Sequence, residues 1–127
     1  MVLVALPALN SCQAGSRTST RTITAETLAY KYSASVEAAR REFDGKELVV
    51  KGYVSNSVVM PKDDESEGMI LLDSGKKTPD PQVQCWFSRY ESAEFADIST
   101  AQSITIRGIF NGESGIVLKF CKLVHKD

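Results

Sequence analysis

The sequence is poor in the residues on which most enzymes and metal sites depend. Its 127 residues include one histidine, His125, near the carboxyl end of the chain, and three cysteines. A Cys121–His125 nucleophile pair has suitable atom types, but its spacing matches no known signature. A metal site built from Cys85, Cys121 and His125 would lack a fourth ligand. We therefore predict that the protein is not an enzyme and that it requires no metal or other cofactor.

Two further absences concern partners. No apolar run approaches the ~20 residues that a membrane-spanning helix needs, so we predict no such helix. The chain also lacks a basic excess, because 15 Lys and Arg residues face 16 Asp and Glu residues, for a net charge of −1. Since phosphate contacts supply most non-specific affinity for nucleic acid, this balance argues against a general nucleic-acid binder. The length and the 43% apolar content suit a single domain with one core.

The amino terminus differs in composition from the rest of the chain. Residues 2–9 are apolar apart from Pro7, and they run into Leu9-Asn10-Ser11-Cys12. This segment resembles the end of a bacterial lipoprotein signal peptide, and the resemblance implies that Cys12 is lipidated and becomes the first mature residue. An ordinary cleaved signal or an apolar strand is the alternative.

The segment after Cys12 is rich in Ser, Thr and Gly and has no apolar periodicity, which is typical of a flexible tether. We predict a signal-peptide remnant at residues 1–12, a tether at 13–23 and a domain at 24–127. If Cys12 carries lipid, Cys85 and Cys121 are left as a possible disulfide. Closing the loop between them would stabilise the fold by roughly 4 kcal/mol in the chain-entropy model. The alternative is two buried free thiols.

The domain begins with a helical pattern and continues with strands. Apolar residues recur at spacings of four, four, three and four, which predicts one amphipathic helix over residues 24–43; they are Leu28, Tyr32, Val36, Ala39 and Phe43. The period then becomes two and predicts five strands, at about residues 46–58, 69–73, 82–87, 103–110 and 116–124. This order predicts a mainly β fold, a five-stranded OB-fold barrel preceded by one amphipathic helix.

Two of the predicted strands share an unusual pattern, an apolar run followed by a basic residue and a glycine. The glycines are Gly52 and Gly108, and glycine inside a strand marks a bend or a close backbone approach. We interpret both as bends, and Lys51 and Arg107 before them as ordinary solvent-facing residues. In an OB-fold the third and fifth strands are neighbours. Whether Cys121 points inward beside its partner cysteine then depends on a bulge in the last strand.

Several segments in this order resemble a known family over residues 24–125. They are Leu28-Ala29-Tyr30-Lys31-Tyr32, Phe43-Asp44-Gly45-Lys46, Val49-Val50-Lys51-Gly52, Val83-Gln84-Cys85-Trp86-Phe87, Ile104-Thr105-Ile106-Arg107-Gly108 and Val117-Leu118-Lys119-Phe120-Cys121-Lys122-Leu123. The family is the tRNA-anticodon-binding-like group of small bacterial OB-fold proteins, many of them predicted lipoproteins. The resemblance implies the barrel and an envelope location, and it implies little about activity.

Aromatic residues supply the candidate ligand-binding site. OB-folds bind ligands on the face of the second and third strands, beside the first-to-second and fourth-to-fifth loops. Tyr53, Trp86 and Tyr90 are the candidates for a stacking platform on this face, and Arg89 is a candidate to neutralise phosphate. The alternation of the third predicted strand places Gln84 and Trp86 on the face opposite Val83, Cys85 and Phe87. For Trp86 we favour packing against the helix or a barrel end over a ligand contact. The first-to-second loop carries four carboxylates between residues 63 and 67, which would repel phosphate, and their spacing does not match an EF-hand calcium loop.

These observations predict a non-catalytic, extracytoplasmic binding module that contacts the membrane through its lipid anchor. Its partner would be an envelope protein or another envelope component. The alternative is a protein that binds single-stranded nucleic acid. The envelope location and the acidic loop argue against nucleic acid, and the sequence does not determine the oligomeric state.

Overall fold

The structure is a computed structural model that describes residues 20–59, 68–76, 82–95 and 98–127; side chains are described except at residues 56–59, 89 and 92. The predicted lipidation site Cys12, the signal-peptide remnant, most of the predicted tether and the acidic loop lie outside the described residues.

Five strands close a barrel. The elements in chain order are β1 (Arg21–Thr24), α1 (Ala25–Ala34), α2 (Val36–Phe43), β2 (Glu47–Val59), β3 (Gly68–Asp73), β4 (Val83–Phe87), a 3-10 turn (Arg89–Glu91), α3 (Ser92–Phe95), β5 (Ser103–Asn111) and β6 (Val117–Lys126). The strands pair in the order β1-β2-β3-β4-β6-β5, and an additional β2–β5 pairing closes the barrel. The predicted five-stranded OB-fold barrel is confirmed, and each predicted strand lies within two residues of its observed bounds.

The long strand β2 joins two parts of the sheet. Its first half pairs antiparallel with β5, and from Tyr53 onward it pairs with β3. Gly52 lies where this change occurs, and a Cβ atom at this position would lie 2.8 Å from the Cβ of Ala25. Glycine is therefore needed at this position for the close approach of α1, as well as suiting the predicted bend.

The prediction of one continuous helix over residues 24–43 is wrong, because the segment forms two helices. Ser35 has an extended backbone between them, with φ −162° and ψ 108°. Its hydroxyl accepts a hydrogen bond from the backbone N–H of Ala38 at 3.1 Å and so caps α2. Serine can bond to the nearby backbone in this way, which competes with helix continuation. Thr24 caps the first of the two helices, since its hydroxyl accepts a hydrogen bond from the backbone N–H of Thr27 at 3.0 Å.

Residues 21–23, which we predicted as part of the tether, belong to the folded domain. They lie in β1, which pairs parallel with β2 and adds a sixth strand at the side of the barrel. Ile23 is buried in the core, whereas Thr22 and Thr24 are exposed on the outer face. Because β1 has four residues with a single buried side chain, its apolar pattern is too short to be recognised as a strand.

The core fills the barrel and continues under the two helices. Phe43, Phe87, Phe95 and Phe110 are each at most 1% exposed. The rings of Phe87 and Phe95 stack at 4.1 Å between centroids, and Phe43 contacts Phe110 edge to face at 5.8 Å. The second contact joins α2 to the barrel. In the part of the chain that the structure describes, no helix has the length and apolar character to cross a membrane.

Candidate functional site

A bulge in β6 determines which of its side chains face outward. Phe120 and Cys121 together oppose the single residue Gly108 of β5. Phe120 has a φ of 56°, a left-handed conformation that large side chains rarely adopt. The extra residue turns Cys121 into the core, where it is fully buried, and leaves Phe120 72% exposed. A Cβ atom on Gly108 would lie 2.8 Å from the Sγ of Cys121, so glycine makes room for the inward thiol.

Phe120 lines a groove of about 380 Å³ on the outer surface between β4 and β6. The lining residues are Gln84, Trp86, Ser114, Val117, Lys119 and Phe120. The two strands pair in parallel over only two residue pairs, Gln84 with Val117 and Cys85 with Leu118. The groove lies where this pairing ends. Strand β4 and the turn between β5 and β6 belong to the surface on which OB-folds bind their ligands.

Trp86 supplies one aromatic side of this groove. Burial alternates along β4, with Val83, Cys85 and Phe87 inside, so Gln84 and Trp86 share the outer face as predicted. The indole Nε1 of Trp86 donates a hydrogen bond to Oε1 of Gln84 at 3.1 Å. The described lining residues include none from a helix. Trp86 therefore presents an apolar ring surface to the groove, and its N–H is already bonded.

In the part of the chain that the structure describes, the groove combines flat apolar surfaces with one positive charge. Trp86 and Phe120 provide the rings, Lys119 provides the ammonium group, and Ser114 provides a hydroxyl. No carboxylate is among the described residues that line it. Phe120 was not among the predicted site residues. Its signal in the sequence was the broken alternation before Cys121, because a residue inserted into a strand is a common way to reorient a side chain.

Tyr53 lies in a different cavity from Trp86. This second cavity measures about 410 Å³ and shares no lining residue with the groove. The Tyr53 ring lies over Gly75, where a Cβ atom would come within 2.7 Å of it. Ser55 also lines this cavity, and its buried hydroxyl has no hydrogen-bond partner among the described residues.

Tyr90 and Arg89 lie in the 3-10 turn after β4. Tyr90 is 77% exposed and lines neither cavity, and the side chain of Arg89 lies outside the described residues. The structure therefore does not combine Tyr53, Trp86 and Tyr90 into one stacking platform. The prediction of a shared platform is wrong because Tyr53 lies on β2 beside the loop after β3, whereas Trp86 faces β6.

Comparison with known proteins agrees with this architecture. The tRNA_anti-like family model matches residues 5–122. The chain belongs to the tRNA_anti-like family. No curated protein matches its sequence.

Two solved structures share the fold of this tRNA_anti-like protein. A "putative nucleic acid-binding lipoprotein" from Klebsiella pneumoniae subsp. pneumoniae MGH 78578 aligns with a TM-score of 0.69 at 16% identity, over 87% of this chain and 96% of that one. A "putative aspartyl-tRNA synthetase" from Leishmania major Friedlin aligns with a TM-score of 0.51 at 13% identity, over 92% of this chain and 26% of that one. The first neighbour matches in length, and the second contains a domain of this kind within a longer chain.

The two cysteines of the tRNA_anti-like domain are free thiols, both buried. The predicted disulfide is therefore not formed in this structure, and the alternative of two buried thiols is the one observed. Cys121 donates a hydrogen bond from Sγ to the carbonyl of Leu118 at 3.4 Å. Burial raises the pKa of the Cys85 thiol well above its usual value, and the neighbouring Cys121 adds to the shift. Both cysteines thus pack as small apolar side chains.

The geometry does not form the alternative catalytic or metal sites. His125 is exposed, with Nε2 2.9 Å from Oδ1 of Asp127, whereas Cys121 is buried on the opposite side of the strand. A Cys121–His125 pair is therefore not assembled. Among the described residues, no group of three His, Cys, Asp or Glu side chains is arranged to hold a metal ion.

Proposed function

We propose that this tRNA_anti-like protein is a non-catalytic binding module that holds its ligand in the groove between β4 and β6. The observation that carries this proposal is Phe120, a large apolar side chain that is 72% exposed at a left-handed backbone position. Such a conformation costs on the order of 1 kcal/mol. Because Phe120 packs into no core, a ligand contact explains why the strained position holds an aromatic residue.

The module acts outside the cytoplasm, tethered to a membrane of the cell envelope through lipid on Cys12. The lipoprotein-like segment before Cys12 motivates this location, and the name of the Klebsiella structure supports it. Its partner is an envelope protein or another envelope component. Exposed aromatic residues in a preformed groove are typical contact points for a peptide segment.

A second candidate is a module that binds single-stranded oligonucleotides. The rings of Trp86 and Phe120 lie on the OB-fold ligand face, and stacking on such rings contributes about 1–3 kcal/mol per base. The family name and the name of the Klebsiella structure favour this candidate. Against it, Lys119 is the one basic residue among the described residues that line the groove.

Capture from envelope extract tests the groove. We expect the full chain to retain a specific partner and Phe120→Ala to lose at least about tenfold in affinity, since a central aromatic contact contributes 2 kcal/mol or more. Tyr90→Ala is the matched control, because it removes an exposed aromatic residue outside the groove. Full retention by Phe120→Ala would disprove the groove as the binding site.

Trp86 is the only tryptophan, so its fluorescence reports directly on the groove. Titration with single-stranded DNA at low salt separates the two candidates. A quench that weakens steeply with added salt would favour the oligonucleotide and replace the envelope partner as the leading ligand. The tether is tested separately by the mass of the protein made in bacteria, because a chain without added lipid at Cys12 would refute the anchoring.

A further inference from the structure

The outer face of the sheet formed by β1, β2, β5 and β6 carries a cluster of basic residues. Directly paired residues project to the same face. Arg107 pairs with Lys122 across β5 and β6, while Lys51 and Lys119 lie in neighbouring rows of the same face. We call Lys51, Arg107, Lys119 and Lys122 the basic face; all four are exposed, and Glu47 is the one acidic residue in these rows.

None of these four residues has a carboxylate partner within 4 Å in the part of the chain that the structure describes. Basic residues on the helix-covered side behave differently. Five of them have an acidic partner, in the pairs Arg21–Glu42, Lys31–Glu42, Arg40–Asp44, Arg41–Glu37 and Lys76–Glu26. Arg107 and Lys122 instead oppose each other directly, an arrangement of like charges that destabilises a sheet.

The charge of the basic face is opposite in sign to the net charge of the whole chain. The protein has a net charge of −1, so the surface outside this face carries a net negative charge. A concentration of one sign on a single face of a nearly neutral protein attracts a partner of the opposite sign. Two neighbouring carboxylates offset part of this charge, since Asp127 lies close enough to Lys51 for the two charges to attract and Glu47 lies in the row of Lys119. Glu47 accepts a hydrogen bond from Thr20 at 3.1 Å, and Asp127 pairs with His125 at 2.9 Å.

The position of β1 relates this face to the predicted anchor. Thr20, the first described residue, contacts Glu47 at the edge of the same sheet. Seven residues separate Thr20 from Cys12. Even fully extended, this connection spans less than about 30 Å at about 3.5 Å per residue. A lipid on Cys12 would therefore keep the basic face close to the membrane surface.

We propose that the basic face binds the anionic phospholipid headgroups of the membrane to which the protein is anchored. The proposal rests on the tether under the proposed function and adds a second, electrostatic contact. Each basic residue near an anionic surface strengthens binding about fivefold. The face then sets the orientation of the domain on the membrane, with the paired charges of the helix side turned away from it.

Vesicle co-sedimentation tests this surface with the full chain carrying Cys12→Ser, which removes the anchor. We expect binding to vesicles of phosphatidylglycerol and phosphatidylcholine that weakens with salt, and little binding to phosphatidylcholine alone. Arg107→Gln should weaken binding about fivefold and Arg107→Gln with Lys122→Gln about twentyfold or more. Arg41→Gln on α2 is the matched control and should leave binding unchanged.

Equal binding to both kinds of vesicle would overturn the proposal, because it would assign the interaction to the apolar amino-terminal segment. Equal losses from Arg107→Gln and Arg41→Gln would also overturn it, since net charge alone would then explain binding. Arg107-dependent binding of single-stranded DNA without vesicle binding would reassign the face to nucleic acid. Because the variant lacks the anchoring cysteine, these results are independent of whether Cys12 is lipidated.

Discussion

The helix-covered side and the basic face of this barrel use charge in opposite ways. On the helix side, Glu42 accepts from Arg21 at 2.7 Å and from Lys31 at 3.2 Å, which joins β1, α1 and α2. The same two cations lie over the ring of Phe43, at 5.0 and 5.7 Å from its centroid. On the basic face, Arg107 faces Lys122 and no carboxylate. The comparison separates charges that serve the fold from charges available to a partner.

The largest predicted effect comes from the core beneath the paired charges. Phe43→Ala removes a fully buried ring that contacts Phe110, and we expect a loss of about 3–5 kcal/mol in the free energy of unfolding. Urea denaturation measures it. The control is Phe120→Ala, which removes an exposed ring and should change stability by less than about 1 kcal/mol. Equal losses in the two variants would contradict the assignment of Phe43 to the core and Phe120 to the surface.

The next largest loss of stability is expected on substitution of Asp44, which joins the end of α2 to the turn after β5. Its Oδ1 accepts from the buried N–H of Gly112 at 2.8 Å, and its Oδ2 accepts from Arg40 at 2.8 Å. Asp44→Ala leaves the Gly112 N–H without a partner and should cost about 1–3 kcal/mol. Asp44→Asn can still accept from Gly112, so it should recover part of this loss. If the two variants were equally destabilised in urea, the Gly112 contact would not be the cause.

Substitution of Glu42 should cause a smaller loss in the free energy of unfolding, and the size of this loss depends on pH. The hydrogen bond from Arg21, with that from Lys31, lowers the pKa of Glu42 despite a partial offset by burial. A carboxyl whose pKa is lower in the folded state than in the unfolded state stabilises the fold at pH values above its ordinary pKa of 4.5. This stabilisation is lost as the pH falls through the folded-state pKa. Because the side chain is 35% exposed, Glu42→Gln should cost at most about 1 kcal/mol at pH 7.

Urea unfolding at pH 7 and at pH 3 checks this prediction. The difference between the wild type and Glu42→Gln should shrink at the lower pH. Glu37→Gln, which alters an exposed pair at 3.9 Å, is the control and should have little effect at either pH. If the free energy of unfolding of Glu42→Gln were lower than that of the wild type by the same amount at both pH values, lost packing and not lost charge would be the cause.

The smallest effect is predicted on the basic face. Arg107→Gln relieves the like-charge contact with Lys122, so stability should stay constant or rise by a few tenths of a kcal/mol. Arg21→Gln makes the same chemical change on the helix side, where it should destabilise by up to about 1 kcal/mol. Urea denaturation at low salt compares them. A clear loss of stability in Arg107→Gln would mean that this arginine has a role in the fold.

The parts of the fold that follow from repeated patterns were predictable from the sequence. Alternating burial defined the strands, and the order of strands and helices defined the barrel. Breaks and short strands that depend on competing local hydrogen bonds or on strand pairing were harder to predict. Ser35 interrupts the helix because its hydroxyl caps the second half, although the apolar spacing continues across it. Strand β1 has too few buried residues to produce a pattern, and it forms because β2 is there to pair with it.

The candidate site was predicted in part. The alternation of β4 placed Trp86 opposite the buried side chains of the strand, although we favoured its packing against the helix or a barrel end over a place in the groove. Phe120 was missed because its exposure depends on a bulge opposite Gly108, and the position of a bulge depends on pairing between distant strands. The basic face was missed for a related reason. Arg107 and Lys122 lie 15 residues apart in sequence, and only the register of β5 against β6 makes them neighbours.

The division of charge between the two sides is tested most directly by charge reversal at one position on each. The measurement is the free energy of unfolding in urea at low salt for Lys122→Glu and for Glu42→Lys. Lys122→Glu should raise stability, because it converts a like-charge contact with Arg107 into an attractive one. Glu42→Lys should lower it, because it brings a third positive charge beside Arg21 and Lys31. A loss of stability in both variants would contradict the conclusion that the basic face is not needed for the fold.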